Sequence, residues 1–302
     1  MKILVIGGSY FLGRVFTMLA SKEHQLTLLN RGNISMQRYG VKEYQMDRRD
    51  VQKLRELPCE SYDVIVDFCA YNTGDIRTIV ENLPGLPGLT HKYIFISTVD
   101  VYERQVGYVK DENAPISKER YGGEIGEYIY GKICLEQELK EVCDKVGIDY
   151  TIIRPSIIYG PNNYAPRESK YIRKIVAKEE IRYPKDAEGK FQLVYVKDVV
   201  EAIIAACKRI PSREYNICPN EAVGYEDFMN VLKDVSDLPV KLQPVTTEEA
   251  IKEGAHLPFP LLKEETELYD GKKAERELGI TYTSLEEGMR KTYNAFKSTY
   301  SN

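Results

Sequence analysis

The first thirteen residues constrain this chain more than any others. Ile3-Leu4-Val5-Ile6 is an unbroken aliphatic run, Gly7-Gly8 ends it, and apolar residues then recur at helical spacing at Phe11, Leu12, Val15, Phe16 and Leu19. That is a strand, a glycine turn and a helix. A strand without polar alternation is buried on both faces, the habit of parallel sheets covered by helices. Similar runs at Leu26–Leu29, Tyr62–Phe68, Tyr93–Ser97 and Tyr150–Ile153 alternate with helical patterns. The chain is therefore expected to be α/β, with a doubly wound parallel sheet.

The helices show at their ends. Asp47 is placed to cap a helix carrying Val51, Leu54 and Leu57, and Asp75 opens another over Ile76–Leu83 before the breaker Pro84-Gly85-Leu86-Pro87-Gly88. Gly126–Val146 is the longest helical stretch. After Gly160-Pro161 the pattern turns irregular and polar, recovers as strand and helix over Phe191–Arg209, gives a short strand at Tyr215–Cys218 and closes with helices to Tyr300. These shifts predict a sheet domain over residues 1–160, to which the chain returns at about 191–218, and a smaller, mostly helical lobe from 161–190 and 219–302.

With 302 residues, 43% hydrophobic and 29% charged, disorder across the whole chain is excluded. A net charge of -4 gives no global attraction to nucleic acid or anionic lipid. Cys59, Cys69, Cys134, Cys143, Cys207 and Cys218 lack C-x-x-C spacing and are expected to be free thiols. Ile3–Ile6 is too short for a signal peptide, and no apolar run reaches the roughly 18 residues of a membrane helix. A cytoplasmic location with no membrane partner is expected.

The turn from Ile6 to Gly13 leaves backbone N–H groups and the positive end of a helix facing whatever sits above the strand ends, a place suited to a pyrophosphate. Here the chain resembles the extended short-chain dehydrogenase/reductases, the NAD-dependent epimerases and dehydratases with a Rossmann-type sheet, whose fingerprint is G-x-x-G-x-x-G. Gly7 and Gly13 match it, and Tyr10 replaces the middle glycine. The run Gly7-Gly8-Ser9-Tyr10-Phe11-Leu12-Gly13-Arg14, followed by Leu29-Asn30-Arg31-Gly32, is most similar to a subgroup that includes the chloroplast stem-loop-binding proteins. The resemblance continues in order through Asp47-Arg48, at the position that holds the adenine amino group, and Phe68-Cys69-Ala70, in the turn that lines the cofactor. It extends to Ile153-Arg154-Pro155, Tyr159-Gly160-Pro161, Tyr195-Val196-Lys197-Asp198-Val199 and Tyr215-Asn216-Ile217.

The resemblance implies a dinucleotide over Gly7, Ser9, Tyr10, Phe11, Leu12 and Gly13, with further contacts from Asn30, Arg31, Asp47, Arg48, Phe68, Cys69, Ala70 and Lys132. An acidic residue at the end of the second strand would bind the adenosine ribose and repel a 2′-phosphate, whereas Asn30-Arg31 offers an amide and a guanidinium to that phosphate. This points to NADP over NAD, with a solvated surface arginine as the alternative.

The family's chemistry uses Y-x-x-x-K on a helix, which Tyr128 and Lys132 supply on one face. An ammonium about 4 Å from a phenol favours phenolate by about 4 kcal/mol at an effective dielectric near 20, or about three pKa units, enough to bring a tyrosine near pH 7. With 23 tyrosines, about two such spacings arise by chance, and Tyr269/Lys273 and Tyr293/Lys297 share it. Only Tyr128 follows a Ser/Thr strand end in the right place, with Tyr130 its rival. Counting back from Val101-Tyr102 puts the catalytic hydroxyl on Thr98, or else on Ser97. Lys132 has a second implied task on the nicotinamide ribose. His24, His91 and His256 lack metal-ligand spacing, and no metal is expected. Arg167, Lys170, Arg173 and Lys174 either meet the phosphates of a sugar nucleotide or form a solvated helix face.

Two functions follow from these observations. One is an NADP- or NAD-dependent epimerase, dehydratase or reductase acting on a nucleotide sugar, with Tyr128 as general acid/base. The other is a redox-inactive nucleotide- or RNA-binding protein on the same fold. The set of Thr98, Tyr128 and Lys132 favours the enzyme, because a pure binder has no need of it. The resemblance also implies a homodimer through two helices, one of them carrying Tyr128.

Overall fold

The computed structural model describes residues 1–86, 88–208 and 213–300; the expectations at Pro87 and Arg209 lie outside the described residues. Strands β1 (Lys2–Ile6), β2 (Gln25–Asn30), β3 (Lys42–Gln45), β4 (Tyr62–Asp67), β5 (Thr90–Ile96), β6 (Asp149–Pro155) and β7 (Glu214–Ile217) form one sheet. Its order is β7-β6-β5-β4-β1-β2-β3, and every neighbouring pair is parallel. The winding direction reverses between β1 and β4, so a crevice opens there above the carboxyl ends of the strands.

β1 shows why its sequence has no polar alternation. Ile3 and Val5 face one core with Phe16 and Leu28, while Leu4 and Ile6 face the other with Ile65, Tyr93 and Leu135. The first face is covered by α1 (Phe11–Ala20) and the second by α2 (Val51–Glu56), α3 (Asp75–Asn82) and α4 (Gly123–Val146). Beyond the sheet come α5 (Glu168–Val176), α6 (Val196–Ala206), which packs beside α1 on the first face, α7 (Tyr225–Val235), α8 (Thr247–Lys252), α9 (Lys272–Leu278) and α10 (Leu285–Tyr300). Asp198 in the first turn of α6 accepts from Thr283 N and Oγ1, both at 2.7 Å, and so ties the approach to α10 onto α6.

Several boundaries differ from expectation. Asp50, not Asp47, caps α2 by accepting from Lys53 N at 3.2 Å; Asp47 is taken up by Arg49, whose N donates to it at 2.9 Å. α4 begins at Gly123 rather than Gly126. β3 is an additional strand, missed because Lys42-Glu43-Tyr44-Gln45 lies at the sheet edge and carries no apolar run. The polar stretch after Gly160 contains α5, whose Tyr171, Ile172 and Ile175 are buried, and the strand Glu180–Pro184. That strand pairs with Lys241–Val245, within a stretch expected to be helical. No helix among the described residues is long and apolar enough to cross a membrane.

Candidate active site

The glycine turn is a close-packed cradle. Gly7 (φ +95°) and Gly8 (φ +87°) occupy the left-handed region that favours glycine. A Cβ on Gly13 would sit 2.9 Å from the Cα and N of Gly8, so α1 starts directly against the turn. Thr17 Oγ1 lies 2.9 Å from the carbonyls of both Gly8 and Gly13 and locks the two together. No side chain caps α1 at its amino end, which leaves its N–H groups and dipole for an anion. Tyr10, at the position of the missing glycine, is in extended backbone (φ -121°, ψ 146°) that any residue adopts, and its ring stands 49% exposed. The substitution leaves the cradle open.

Above the turn lies a cavity of about 250 Å³ at the carboxyl ends of β1, β2 and β4, lined by Gly7, Ser9, Tyr10, Asn30, Arg31, Asp47, Arg48 and Cys69 among others. Ser9 and Leu12 are buried, and Phe11 meets Tyr164 edge to face at 6.3 Å. Asn30 is not free for a phosphate: its Oδ1 accepts from Gly32 N at 2.7 Å and its Nδ2 donates to Glu43 at 3.3 Å. Arg31 is exposed on the rim. Arg49's hydrogen bonds, helped by Arg31's charge, hold the Asp47 carboxyl below its usual range.

Arg48 turns inward rather than across the cavity. Its Nη1 and Nη2 grip Asp67 at 2.8 and 2.7 Å, while Tyr93 and Cys69 N donate to the same carboxylate. Arg48 therefore braces the floor of the site, and its guanidinium is unavailable to an adenine. Phe68 packs on Phe16 at 5.3 Å. Ala70 is fully buried and offers its carbonyl to Lys132.

Lys132 and Tyr128 lie together on α4, Lys132 bonding the carboxyl end of β5 and Tyr128 within reach of the charge of Asp100, two residues after Thr98, but their bonds are not those expected. Lys132 Nζ donates to the carbonyls of Ala70 (3.0 Å) and Ile96 (2.8 Å) and lies 4.9, 4.8 and 5.7 Å from the ring centres of Tyr71, Phe95 and Tyr128. Burial lowers its pKa to about 8. The Tyr128 phenol is pushed above its ordinary value by desolvation and by the charge of Asp100, so the expected shift toward pH 7 is reversed. The reason is geometric: the ammonium lies by the ring rather than at the hydroxyl.

Thr98 Oγ1 donates to Asp100 Oδ2 at 2.8 Å. Ser97 donates to Glu136 at 2.6 Å inside a buried network in which Arg154 grips Glu136 and reaches Tyr102, whose hydroxyl donates to Asn216. That excludes Ser97 from the cleft and gives the R-P and Y-N-I motifs a structural role. Tyr130 faces Arg120 on the outside of α4.

A second cavity, of about 530 Å³, adjoins this set and includes Asp100, Arg104, Ile129, Ser156, Gln192 and Tyr269 in its walls. Ser156 Oγ is buried there without a hydrogen-bond partner. Of the four cations considered for phosphates, Arg167 acts on Asp100 and Tyr128. Arg173 instead stacks on Tyr300, Lys174 turns to the carbonyl of Glu180, and Lys170 is exposed beside His256. Tyr269 lines the cavity but is not paired with Lys273, which bonds the carbonyl of Glu214; Tyr293 is bound to Asp237. Asp100, Tyr71 and Ser156 were missed from sequence, although Asp100 lies two residues after Thr98, and Tyr269 entered there only as a chance spacing match with Lys273. No group of His, Cys, Asp or Glu among the described residues could hold a metal ion.

The cradle, which any Cβ at Gly13 would invade, and the cavity above it fit a dinucleotide. A model of the NAD dependent epimerase/dehydratase family matches residues 3–218. The chloroplast stem-loop binding protein of 41 kDa b of Arabidopsis thaliana is 28% identical over 244 residues, which is 75% of this chain and 57% of that protein. The chain thus spans little more than half the length of that curated relative. The UDP-glucose 4-epimerase of Thermotoga maritima, solved with UDP-glucose, is similar in fold, with a TM-score of 0.77 at 20% identity over 99% of each chain. So is the UDP-glucuronic acid 4-epimerase of Bacillus cereus, solved with UDP-glucuronic acid and NAD, with a TM-score of 0.74 at 19% identity over 99% of this chain and 100% of that one.

Proposed function

We propose, from the premise that the chain belongs to the NAD dependent epimerase/dehydratase family, that it is an NAD- or NADP-dependent epimerase, dehydratase or reductase acting on a nucleotide sugar. One observation carries this reading. Tyr71 lines the cavity over the glycine cradle and also touches Lys132, so the cradle and the set of Thr98, Tyr128 and Lys132 share one crevice.

A nicotinamide dinucleotide, when bound, supplies or accepts hydride. Gly7, Ser9, Tyr10, Phe11, Leu12 and Gly13 would hold its pyrophosphate, Arg31 and Asp47 its adenosine end, and Lys132 its other ribose. Residues 1–160 and 191–218 then serve the cofactor, and 161–190 with 219–302 the substrate. Tyr128 keeps its proton in the resting site and acts first as an acid toward a substrate oxygen. Arg167 is a cation whose charge reaches Asp100 and Tyr128, and Ser156 is the unpaired hydroxyl offered to the sugar. The exposed Tyr130 on the outer face of α4 is consistent with a homodimer through that helix.

Fluorescence titration with NADH and NADPH tests the placement of the cofactor. The parent should bind saturably, and Gly7→Val, which forces a β-branched residue to φ +95°, should lose most of that binding while keeping its circular dichroism. Equal binding by a folded Gly7→Val contradicts the placement.

A further inference from the structure

We propose that Tyr164 is the ring that closes over the nicotinamide of the bound dinucleotide, so that the loop before α5 holds the reacting end of the cofactor while the glycine cradle holds the rest. The proposal rests on the dinucleotide placement above.

The loop is built to hold an aromatic ring out in water. Tyr164 is 70% exposed, yet its neighbours in residues 160–168 are tied down. Asn163 is buried; its Nδ2 donates to Glu168 Oε1 at 2.8 Å and its Oδ1 accepts from Ala165 N at 2.9 Å, so Tyr164 is the central residue of an Asx turn. Gly160 N donates to the same Glu168 oxygen at 3.2 Å, and Asn162 takes the left-handed φ of +68° that asparagine tolerates. A single exposed tyrosine on a protein surface needs no explanation. One carried on a fixed turn into a crevice does.

Its surroundings say what it meets. Tyr164 stands edge to face with Phe11, ring centres 6.3 Å apart and planes at 84°. Phe11 is the first residue of α1, directly after the cradle, at φ +30°, a conformation that a bulky residue keeps only where its surroundings hold it. The Tyr164 hydroxyl also helps to raise the phenols of Tyr71 and Tyr128. Those two rings flank the Lys132 ammonium at 4.9 and 5.7 Å. Tyr164 thus reaches from the start of α1, where the pyrophosphate is placed, to the rings around Lys132, where the nicotinamide ribose is placed. It stands in the wall of neither the cavity assigned to the adenosine end nor the one assigned to the sugar. What lies between those two ends of the site is the nicotinamide. An aromatic ring attracts a flat cation more than a neutral ring of the same shape, so Tyr164 favours the oxidised, positively charged nicotinamide over the reduced one.

Isothermal titration calorimetry of the full chain with NAD, NADH and ADP-ribose, which lacks the nicotinamide ring, tests the contact without any substrate. Tyr164→Ala should keep the circular dichroism of the parent, weaken NAD by about fivefold to tenfold and NADH by less, and leave ADP-ribose within about twofold; Tyr164→Phe, which keeps the ring, should bind NAD like the parent. The chain has no tryptophan, so Tyr164→Trp and Tyr130→Trp each carry a single one. Saturating NAD should protect the tryptophan of Tyr164→Trp from acrylamide quenching and leave that of Tyr130→Trp, on the outside of α4, as it was. Unchanged NAD affinity in Tyr164→Ala overturns the proposal, and so does a loss shared equally by ADP-ribose, which would place the ring's effect on the cradle. Quenching of Tyr164→Trp that NAD does not alter also overturns it. A parent that binds none of the three ligands defeats the dinucleotide placement and this proposal with it; a parent that binds all three, with Tyr164→Ala indistinguishable from it, defeats this proposal alone.

Discussion

Lys132 is the residue whose environment departs furthest from its sequence expectation, and it has a pH signature. Its pKa falls from 10.5 to about 8 because its ammonium is buried. Between those values the unfolded chain holds the proton and the folded one does not, so stability rises with pH across that window. Below pH 8 the full cost of burying the charge, on the order of 3 kcal/mol, is present. Urea unfolding should therefore show the parent gaining about that much, relative to Lys132→Met, between pH 8 and 10.5; a pH-independent difference would contradict the burial argument. Arg31 carries a second prediction at this scale. Because Asn30 is spent on its own turn, any preference for NADP falls to Arg31 alone, and Arg31→Ala should weaken NADPH binding about tenfold to a hundredfold while leaving NADH unchanged. Equal parent affinities for the two cofactors at moderate salt would remove this assignment. Gly7 and Gly13 were legible as residues because a left-handed turn and a close backbone approach demand glycine. The bond from Thr98 to Asp100 was not, since it depends on a three-residue turn that no periodicity announces.

At the scale of elements, β1, β4, β5 and β6 were legible because strands buried on both faces have to be apolar throughout. β3 was not, because an edge strand can hold its register through Glu43, which ties Met36 N, Ser35 and Asn30, with little apolar surface of its own. The same limit explains α5: its Lys170, Arg173 and Lys174 match in number the buried Tyr171, Ile172 and Ile175, which masks the apolar stripe. The motif Arg154-Pro155 was legible as a resemblance with no role attached; its arginine belongs to an ion pair with Glu136 in which both side chains are under 5% exposed. That pair bolts β6 to α4, the helix that carries Tyr128 and Lys132. Arg154→Met should leave Glu136 charged and unpaired, costing roughly 3–5 kcal/mol in urea unfolding, and adding Glu136→Leu should recover most of the loss. A single variant costing under about 1 kcal/mol would mean the pair does not brace the site.

For the whole molecule, chain order carried most of the information. The doubly wound parallel sheet follows from alternating patterns, whereas the strand order and the reversal between β1 and β4, with the crevice above them, are seen in the structure. The closure of the second cavity does not follow from those patterns either, because Gln192 and Tyr269 lie 77 residues apart and meet only through hydrogen bonds between their backbone and side-chain groups. The central claim is that this crevice joins a dinucleotide to a sugar nucleotide through Tyr128, and the Tyr128→Phe variant tests it most directly. The measurement is turnover of UDP-hexoses with NAD or NADP, alongside cofactor affinity. The account predicts affinity within a few-fold of the parent and turnover lower by about a hundredfold to ten-thousandfold, the range for a lost general acid or base. Turnover retained by Tyr128→Phe and abolished instead by Tyr130→Phe would contradict it.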